Sequence, residues 1–293
     1  MLGWPLSGII IVKWQECMPG GTLSNLGRDL SILDEGLGLA LADGNQWQFI
    51  GEDASASAII SKLKKMLQLE SLICPSCKIS LGTPRKTDKP KSPLVESLQL
   101  YDTFVLMMKI IHRDVLDRNG LFLHGALAEI NGFGVILAGP SGVGKTTASI
   151  RLTEPWHSLS DDITLVVRDD QGRYWGHPWP SWSFFWESIN SGRSWDVSCA
   201  VPLKGIFFLA QAQEDKAERI GAGQAACMLM ETAQQATSGR LDDKSSDGAL
   251  TAMNLQLFKN ACIMAKSMKS FILNVSFNGQ FWKEMDIALN SPI

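Results

Sequence analysis

Three glycines, a lysine and a threonine carry the chemistry that can be read first. Gly139-Pro140-Ser141-Gly142-Val143-Gly144-Lys145-Thr146 satisfies the spacing G-x-x-x-x-G-K-[ST], in which a glycine-rich turn points successive backbone N–H groups into one concavity. A helix N-terminus beyond the turn adds roughly half a positive charge. Lys145 would then meet the outer phosphates as a point charge, and the Thr146 hydroxyl would ligate the Mg²⁺ that travels with a nucleotide. Sixteen residues after Lys145 stand Asp161 and Asp162, in Leu159-Ser160-Asp161-Asp162-Ile163. Phosphoryl transfer to a hydroxyl uses one carboxylate to hold the metal and another to orient or accept the proton. Because side chains alternate across a strand, both carboxylates serve one site only if the backbone bends where the strand begins.

These residues need elements to hold them. Gly134-Val135-Ile136-Leu137-Ala138 reads as a buried strand entering the loop, and Thr146 to Leu152 as a helix leaving it. Upstream, Leu121 to Ile130 reads as a strand and Asn131-Gly132 as a tight turn, so an antiparallel hairpin feeds the loop. Common nucleotide-binding α/β folds use parallel strands joined by helices at this point, so the hairpin separates families. Leu94 to Asp117 carries Leu98, Tyr101, Val105, Met108 and Ile111 at helical spacing and stops near Asn119-Gly120. Further on, strands are expected at Ile163–Val167, Gly205–Leu209 and Phe271–Val275, helices at Gln224–Gln235 and Ala249–Met268, and an exposed loop at Ser238–Gly248.

The run 82–93 combines three prolines with five charges and no large apolar side chain, and is expected to be a linker. Residues 1–81 before it read as a small α+β unit: Asp43-Gly44 sits between Gly38–Leu41 and Gln46–Ile50 as a hairpin signal, and Ala56–Leu69 has helical periodicity. Residues 94–293 form the larger domain. Hydrophobic content of 45% and charged content of 19% over 293 residues describe a globular chain. A net charge of −3 without a long basic run excludes general nucleic-acid binding. No apolar segment reaches the roughly 20 residues of a membrane helix, and Ile9–Val12 has no basic leader, so the expected location is cytoplasmic.

His124-Gly125-Ala126, Asn131-Gly132, the loop through Thr147, and Ser160-Asp161-Asp162 together resemble the HPr serine kinase family, whose catalytic domain is related to ATP-dependent phosphoenolpyruvate carboxykinase. The resemblance covers roughly residues 95 to 275. More narrowly, Leu41-Ala42-Asp43-Gly44 and Trp47, with Phe281-Trp282, resemble the kinase-like proteins of the SynChlorMet cassette, found among peptide-modification genes. It implies an α/β (α+β) fold: a mixed-sheet P-loop domain of the HPr-kinase C-terminal type with a smaller N-terminal unit. It also implies an ATP- and Mg²⁺-dependent phosphotransferase in which Gly139, Ser141, Gly142, Val143, Gly144, Lys145, Thr146 and Thr147 bind nucleotide. Thr146, Asp161 and Asp162 would hold metal, and Asp161, Asp162, Lys145 and His124 would be catalytic. The acceptor would be a hydroxyl of a peptide or small molecule, with partner proteins of the cassette expected and an oligomer allowed. The second signature by which HPr kinases engage their protein substrate is absent, which argues against HPr itself as acceptor.

Two other readings compete: a nucleotide-dependent switch protein with little or no transfer, and carboxykinase-like chemistry, for which an additional metal and arginine set is missing. No Asn-Lys-x-Asp guanine-reading motif follows the loop, which disfavours GTP. Arg151, Arg193 and Arg219 are each candidates for stabilising transition-state charge. Tyr174 to Trp186 holds four of the ten tryptophans without helical or strand periodicity, and reads equally as an acceptor-facing surface or as core filling. Cys74-Pro75-Ser76-Cys77 offers two ligands where zinc takes four, so structural thiols are expected. His112 and His157 have no evident partners.

Overall fold

The structure is a computed structural model that describes residues 111–179, 200–237 and 247–291, four strands before them, and positions 42, 57–58, 60–62 and 108. The chain divides into two compact units, residues 1–109 and 110–293. The expected linker 82–93 lies outside the described residues, as do Arg193 and the aromatic residues from 180 to 199.

In the first unit, β1 (Ile9–Gln15), β2 (Leu37–Ala40), β3 (Asn45–Gly51) and β4 (Cys77–Ser80) make an antiparallel sheet in the order β2-β3-β1-β4. The apolar Ile9–Val12 run is thus the core of a central strand, paired on both edges. The expected hairpin forms around Asp43-Gly44, with Ala40 opposite Gln46. Residues 57, 58 and 60–62 are helical, within the expected helix.

The second unit is built on a mixed eight-stranded sheet. Its strands are β5 (Leu121–Ile130), β6 (Phe133–Ala138), β7 (His157–Ser160), β8 (Ile163–Arg168), β9 (Tyr174–Pro178), β10 (Val201–Gln211), β11 (Lys216–Arg219) and β12 (Lys269–Val275). The order is β11-β12-β10-β6-β5-β8-β9, with β7 also on β5. β6, β10 and β12 run parallel to one another, and every other pairing is antiparallel. The start of β10 also pairs with β9 through Val201 and Pro202, so β10, β6, β5, β8 and β9 close into a ring. Closure brings side chains from opposite strands together, and small residues make the room. A Cβ on Gly134 would stand 2.5 Å from Val201 Cγ2, and one on Gly176 would stand 2.9 Å from both Leu127 and Leu203.

Central strands of this sheet read as unbroken apolar runs because both faces are covered. Leu123, Leu127, Ile136, Ala138, Ile206 and Phe208 pack with α2 (Ala222–Thr237) and α3 (Asp247–Ser267). The alternate residues Ala126, Val135, Leu137, Phe207, Leu209 and Leu273 pack with α1 (Lys145–Arg151) and α4 (Phe281–Asn290). Buried Asn260 of α3 ties the helix ending at Asp117 to this core, donating from Nδ2 to Leu116 O at 2.7 Å and to Gly120 O at 3.0 Å. Asn119, at φ 63°, turns the chain there, as the Asn-Gly stop signal expects.

The Asn131-Gly132 turn has both residues at positive φ, 52° and 77°, the form whose twist suits a two-residue hairpin. The hairpin feeding the loop is therefore present, with Ile130 paired to Phe133. The aromatic stretch departs from expectation: Tyr174–Pro178 is a strand, β9, with Trp179 buried and its ring edge-on to Phe122 at 4.8 Å. Apart from half-buried Trp175, whose indole donates to Asp169 Oδ2 at 2.9 Å, its described part fills core.

Candidate functional site

Pairing across β5 assembles the site. On one side Gly125 pairs with Ala138, the residue before Gly139. On the other, β5 pairs with β7 through Leu127 and Ser160, then with β8 through His124 and Ile163. Asp161 and Asp162 form the bend between those two strands, opposite Gly125 and Ala126. At about 4.8 Å per strand, the bend backbone lies about 10 Å from the start of the glycine loop. The condition set by side-chain alternation is met, because the backbone does bend at the Asp pair. Ser160 fixes the bend: its hydroxyl accepts from Leu127 N at 3.3 Å and donates to Ile163 O at 3.4 Å.

The loop lies where parallel strands β6 and β10 end, the rim at which open α/β sheets place ligands. Gly139, Gly142 and Gly144 have φ of 146°, 79° and 104°. A Cβ on Gly142 or Gly144 would meet nothing within 4 Å, so these two glycines answer to backbone conformation and not to crowding. Val143 N donates to Pro140 O, and Gln211 at the end of β10 reaches Val143 O at 3.5 Å. Ser141, Gly142 and Thr147 are exposed, whereas Val143, Gly144 and Thr146 are half-buried.

Lys145 is buried and folded back on the loop. Its Nζ donates to Gly139 O at 2.8 Å and Pro140 O at 3.0 Å. Burial pushes its pKa down to about 8, with the Asp162 charge acting in the opposite direction. Asp161 and Asp162 are themselves buried, 1% and 8% exposed, which is rare for aspartate unless charge or hydrogen bonds compensate. His124 stands beside them: its Nε2 is 3.7 Å from Asp162 Oδ1 and its Nδ1 is 3.2 Å from Gln235 Oε1 of α2. Thus Lys145, Asp162 and His124 share one electrostatic neighbourhood.

Among the described residues, no three His, Cys, Asp or Glu side chains gather as a ready-made metal cage. Mg²⁺ does not require one, since it takes one or two carboxylates and completes its shell with phosphate oxygens and water. The Thr146 hydroxyl and the Asp161 and Asp162 carboxylates are the hard oxygen donors it favours, so the residue set fits that ion.

Arg151 donates to Ser276 O at 2.9 Å and Gly279 O at 2.6 Å and lies over the Phe281 ring, tying α1 to the turn after β12. Arg219 is exposed on the outermost strand, β11. His112 is buried against Phe122, its pKa lowered to about 4 by burial, and His157 pairs with Glu154 at 3.4 Å on the surface. The sequence reading gave no role to Gln235 or Gln211, and it named Ser160 only as part of the Ser160-Asp161-Asp162 run. Gln235 in particular lies 111 residues from the histidine it contacts, and no motif marks it.

An HPr kinase/phosphorylase of Streptococcus equi subsp. zooepidemicus is 25% identical over 148 residues, covering 48% of this chain and 46% of the relative. One from Streptococcus uberis is 25% identical over 139 residues, covering 45% and 44%. One from Streptococcus thermophilus is 40% identical over 57 residues, covering 19% and 18%. The chain therefore spans from about a fifth to under half the length of these curated relatives. The family model for SynChlorMet cassette protein ScmC matches residues 95–290, which include the hairpin, the glycine loop and the Asp pair. With two thirds of its length so matched, the chain belongs to the ScmC family of SynChlorMet cassette proteins, one with HPr-kinase-like relatives.

Proposed function

We propose that this protein is an ATP-dependent kinase that moves the γ-phosphoryl group to a hydroxyl of a peptide or small molecule, in peptide modification. In this reading the second unit is a P-loop domain of the HPr-kinase C-terminal type, acting in the cytoplasm with partner proteins of its cassette. The observation that carries it is the register through Gly125, which sets the Asp161–Asp162 bend one strand away from the loop bearing Lys145. A bare nucleotide switch has no need of two buried carboxylates and a histidine beside its phosphate loop.

The chemistry is mainly positioning and charge neutralisation. Backbone N–H groups of the loop receive the β- and γ-phosphates, apart from Pro140, which has none, and Val143, which donates to Pro140 O. Lys145 leaves the carbonyls of Gly139 and Pro140 for the phosphate oxygens, exchanging neutral acceptors for negatively charged ones. Thr146 and Asp161 hold Mg²⁺, which when bound neutralises charge on the transferring phosphate. Asp162, beside His124 and coupled to Lys145, orients the acceptor hydroxyl and takes its proton. The test is to incubate purified protein with Mg²⁺ and γ-labelled ATP and offer the peptides encoded beside its gene. Label on a peptide hydroxyl supports the proposal, and label on none of them, from protein that binds ATP, removes it.

A further inference from the structure

Phe277 is 90% exposed, more than any other large apolar side chain among the described residues. Singly exposed apolar side chains are ordinary on protein surfaces, so exposure alone decides nothing. Its place in the fold does. β12 ends at Val275, which pairs with Gln211 of β10, and Gln211 in turn reaches the glycine loop at Val143 O. Phe277, two residues past Val275, therefore stands on the rim that carries the loop. β12 lies two strands from β6, about 10 Å by strand spacing. The Asp161–Asp162 bend lies on the other side of β6, across β5.

The turn that presents Phe277 is clamped. Asp215 Oδ1 accepts from Ser276 N at 2.7 Å, and Ser276 Oγ accepts from Gly279 N at 3.0 Å. Arg151, in the last turn of the helix that leaves the glycine loop, donates to the carbonyls of Ser276 and Gly279. A Cβ on Gly279 would collide with the Asp215 carboxylate, so the turn closes there only with glycine. These bonds hold the backbone on both sides of Phe277 and join it to the loop through α1, while its ring stays in solvent.

A nucleotide is an extended ligand with a direction. With its terminal phosphate on the Asp pair's side of the loop, its ribose and base leave on the other, over the ends of β10 and β12. We propose that Phe277 is the platform on which the base of the bound nucleotide stacks, at the end of the site remote from transfer. The proposal rests on the kinase reading for the nucleotide and its direction. A ring held by a clamped turn loses less freedom on stacking than one on a loose turn, which gives the clamp a purpose. Every base has a π-face, so the platform adds affinity more than selectivity.

Isothermal titration calorimetry of the full chain with Mg²⁺-ATP and with Mg²⁺-tripolyphosphate separates the base from the phosphates. Phe277→Ala is expected to lower ATP affinity at least about fivefold, the lower end for losing one base–aromatic stack, and to leave tripolyphosphate affinity within about twofold. Phe277→Trp keeps a flat face and is expected to hold ATP affinity within about threefold of the wild type. Unchanged ATP affinity in Phe277→Ala, or Phe277→Trp as weak as Phe277→Ala, overturns the platform and leaves the kinase reading standing. An equal loss for ATP and tripolyphosphate also overturns it, because the effect then lies in the loop. A selective loss of ATP affinity, with no label transferred by the wild type to any peptide, removes the kinase reading and leaves the platform. Wild type that binds neither ligand removes both.

Discussion

Raising the pH from 7 to 9 should weaken ATP binding, because a buried Lys145 loses the proton that phosphate needs. Burial sets its pKa at about 8 in the free protein. The ammonium is then about nine-tenths populated at pH 7, half at pH 8 and one-tenth at pH 9, by the linkage between protonation and binding. Bound triphosphate favours the charged form and returns the group toward its ordinary value of 10.5. Affinity should therefore fall about tenfold from pH 7 to 9, and binding at pH 8 should take up about half a proton per nucleotide. Phosphate's own ionisation, near about pH 6, is over by then and contributes little. Isothermal titration calorimetry at pH 8, in two buffers of different ionisation enthalpy, measures the uptake, and Lys145→Met should abolish it. Stability moves the other way. The unfolded chain holds more protons than the folded one between pH 8 and 10.5, so the free protein gains stability as pH rises through that window. Equal ATP affinity at pH 7 and 9 with no proton uptake at pH 8 would refute the reasoning.

Gly144→Ala has open space for its Cβ but a φ of 104°, so calorimetry should show weakened ATP binding, and urea unfolding a loss of about 1–2 kcal/mol. Asn260→Leu leaves the carbonyls of Leu116 and Gly120 without their buried donor and should cost about 2–4 kcal/mol in the same unfolding measurement. Arg151→Met should lower stability by about 1–3 kcal/mol through the lost bonds to Ser276 and Gly279, yet leave ATP affinity within about threefold. A large loss of transfer with unchanged stability would instead return Arg151 to the chemistry.

Features written in local residues were legible in the sequence. The Asn131-Gly132 turn, the strands on either side of it and the loop glycines each follow from backbone preferences within a few residues, and they stand where expected. So do α2 and α3, long enough to show their period and only a residue or two longer or shorter at each end. β9 was hidden because Gly176 and Pro178 interrupt it and burial on both sides erases alternation. β7 and β11, at four residues each, carry too little pattern to find. α4 had a signal in the spacing of Phe281, Met285 and Ala288, all buried on one face, which went unread. The carboxylate pair was found by its proximity to the loop in sequence. Its bend depends on β7 and β8 sharing an edge of β5. Contacts of that kind, like Gln235 on His124, arise only when the sheet and α2 come together.

The most direct measurement is the fate of the γ-phosphate in matched proteins whose ATP binding has first been measured. With Mg²⁺, γ-labelled ATP and the peptides encoded beside the gene, the wild type should transfer label to a hydroxyl. Asp162→Asn should bind ATP and transfer at least about a hundredfold more slowly. Transfer at the wild-type rate by both Asp161→Asn and Asp162→Asn would contradict the account.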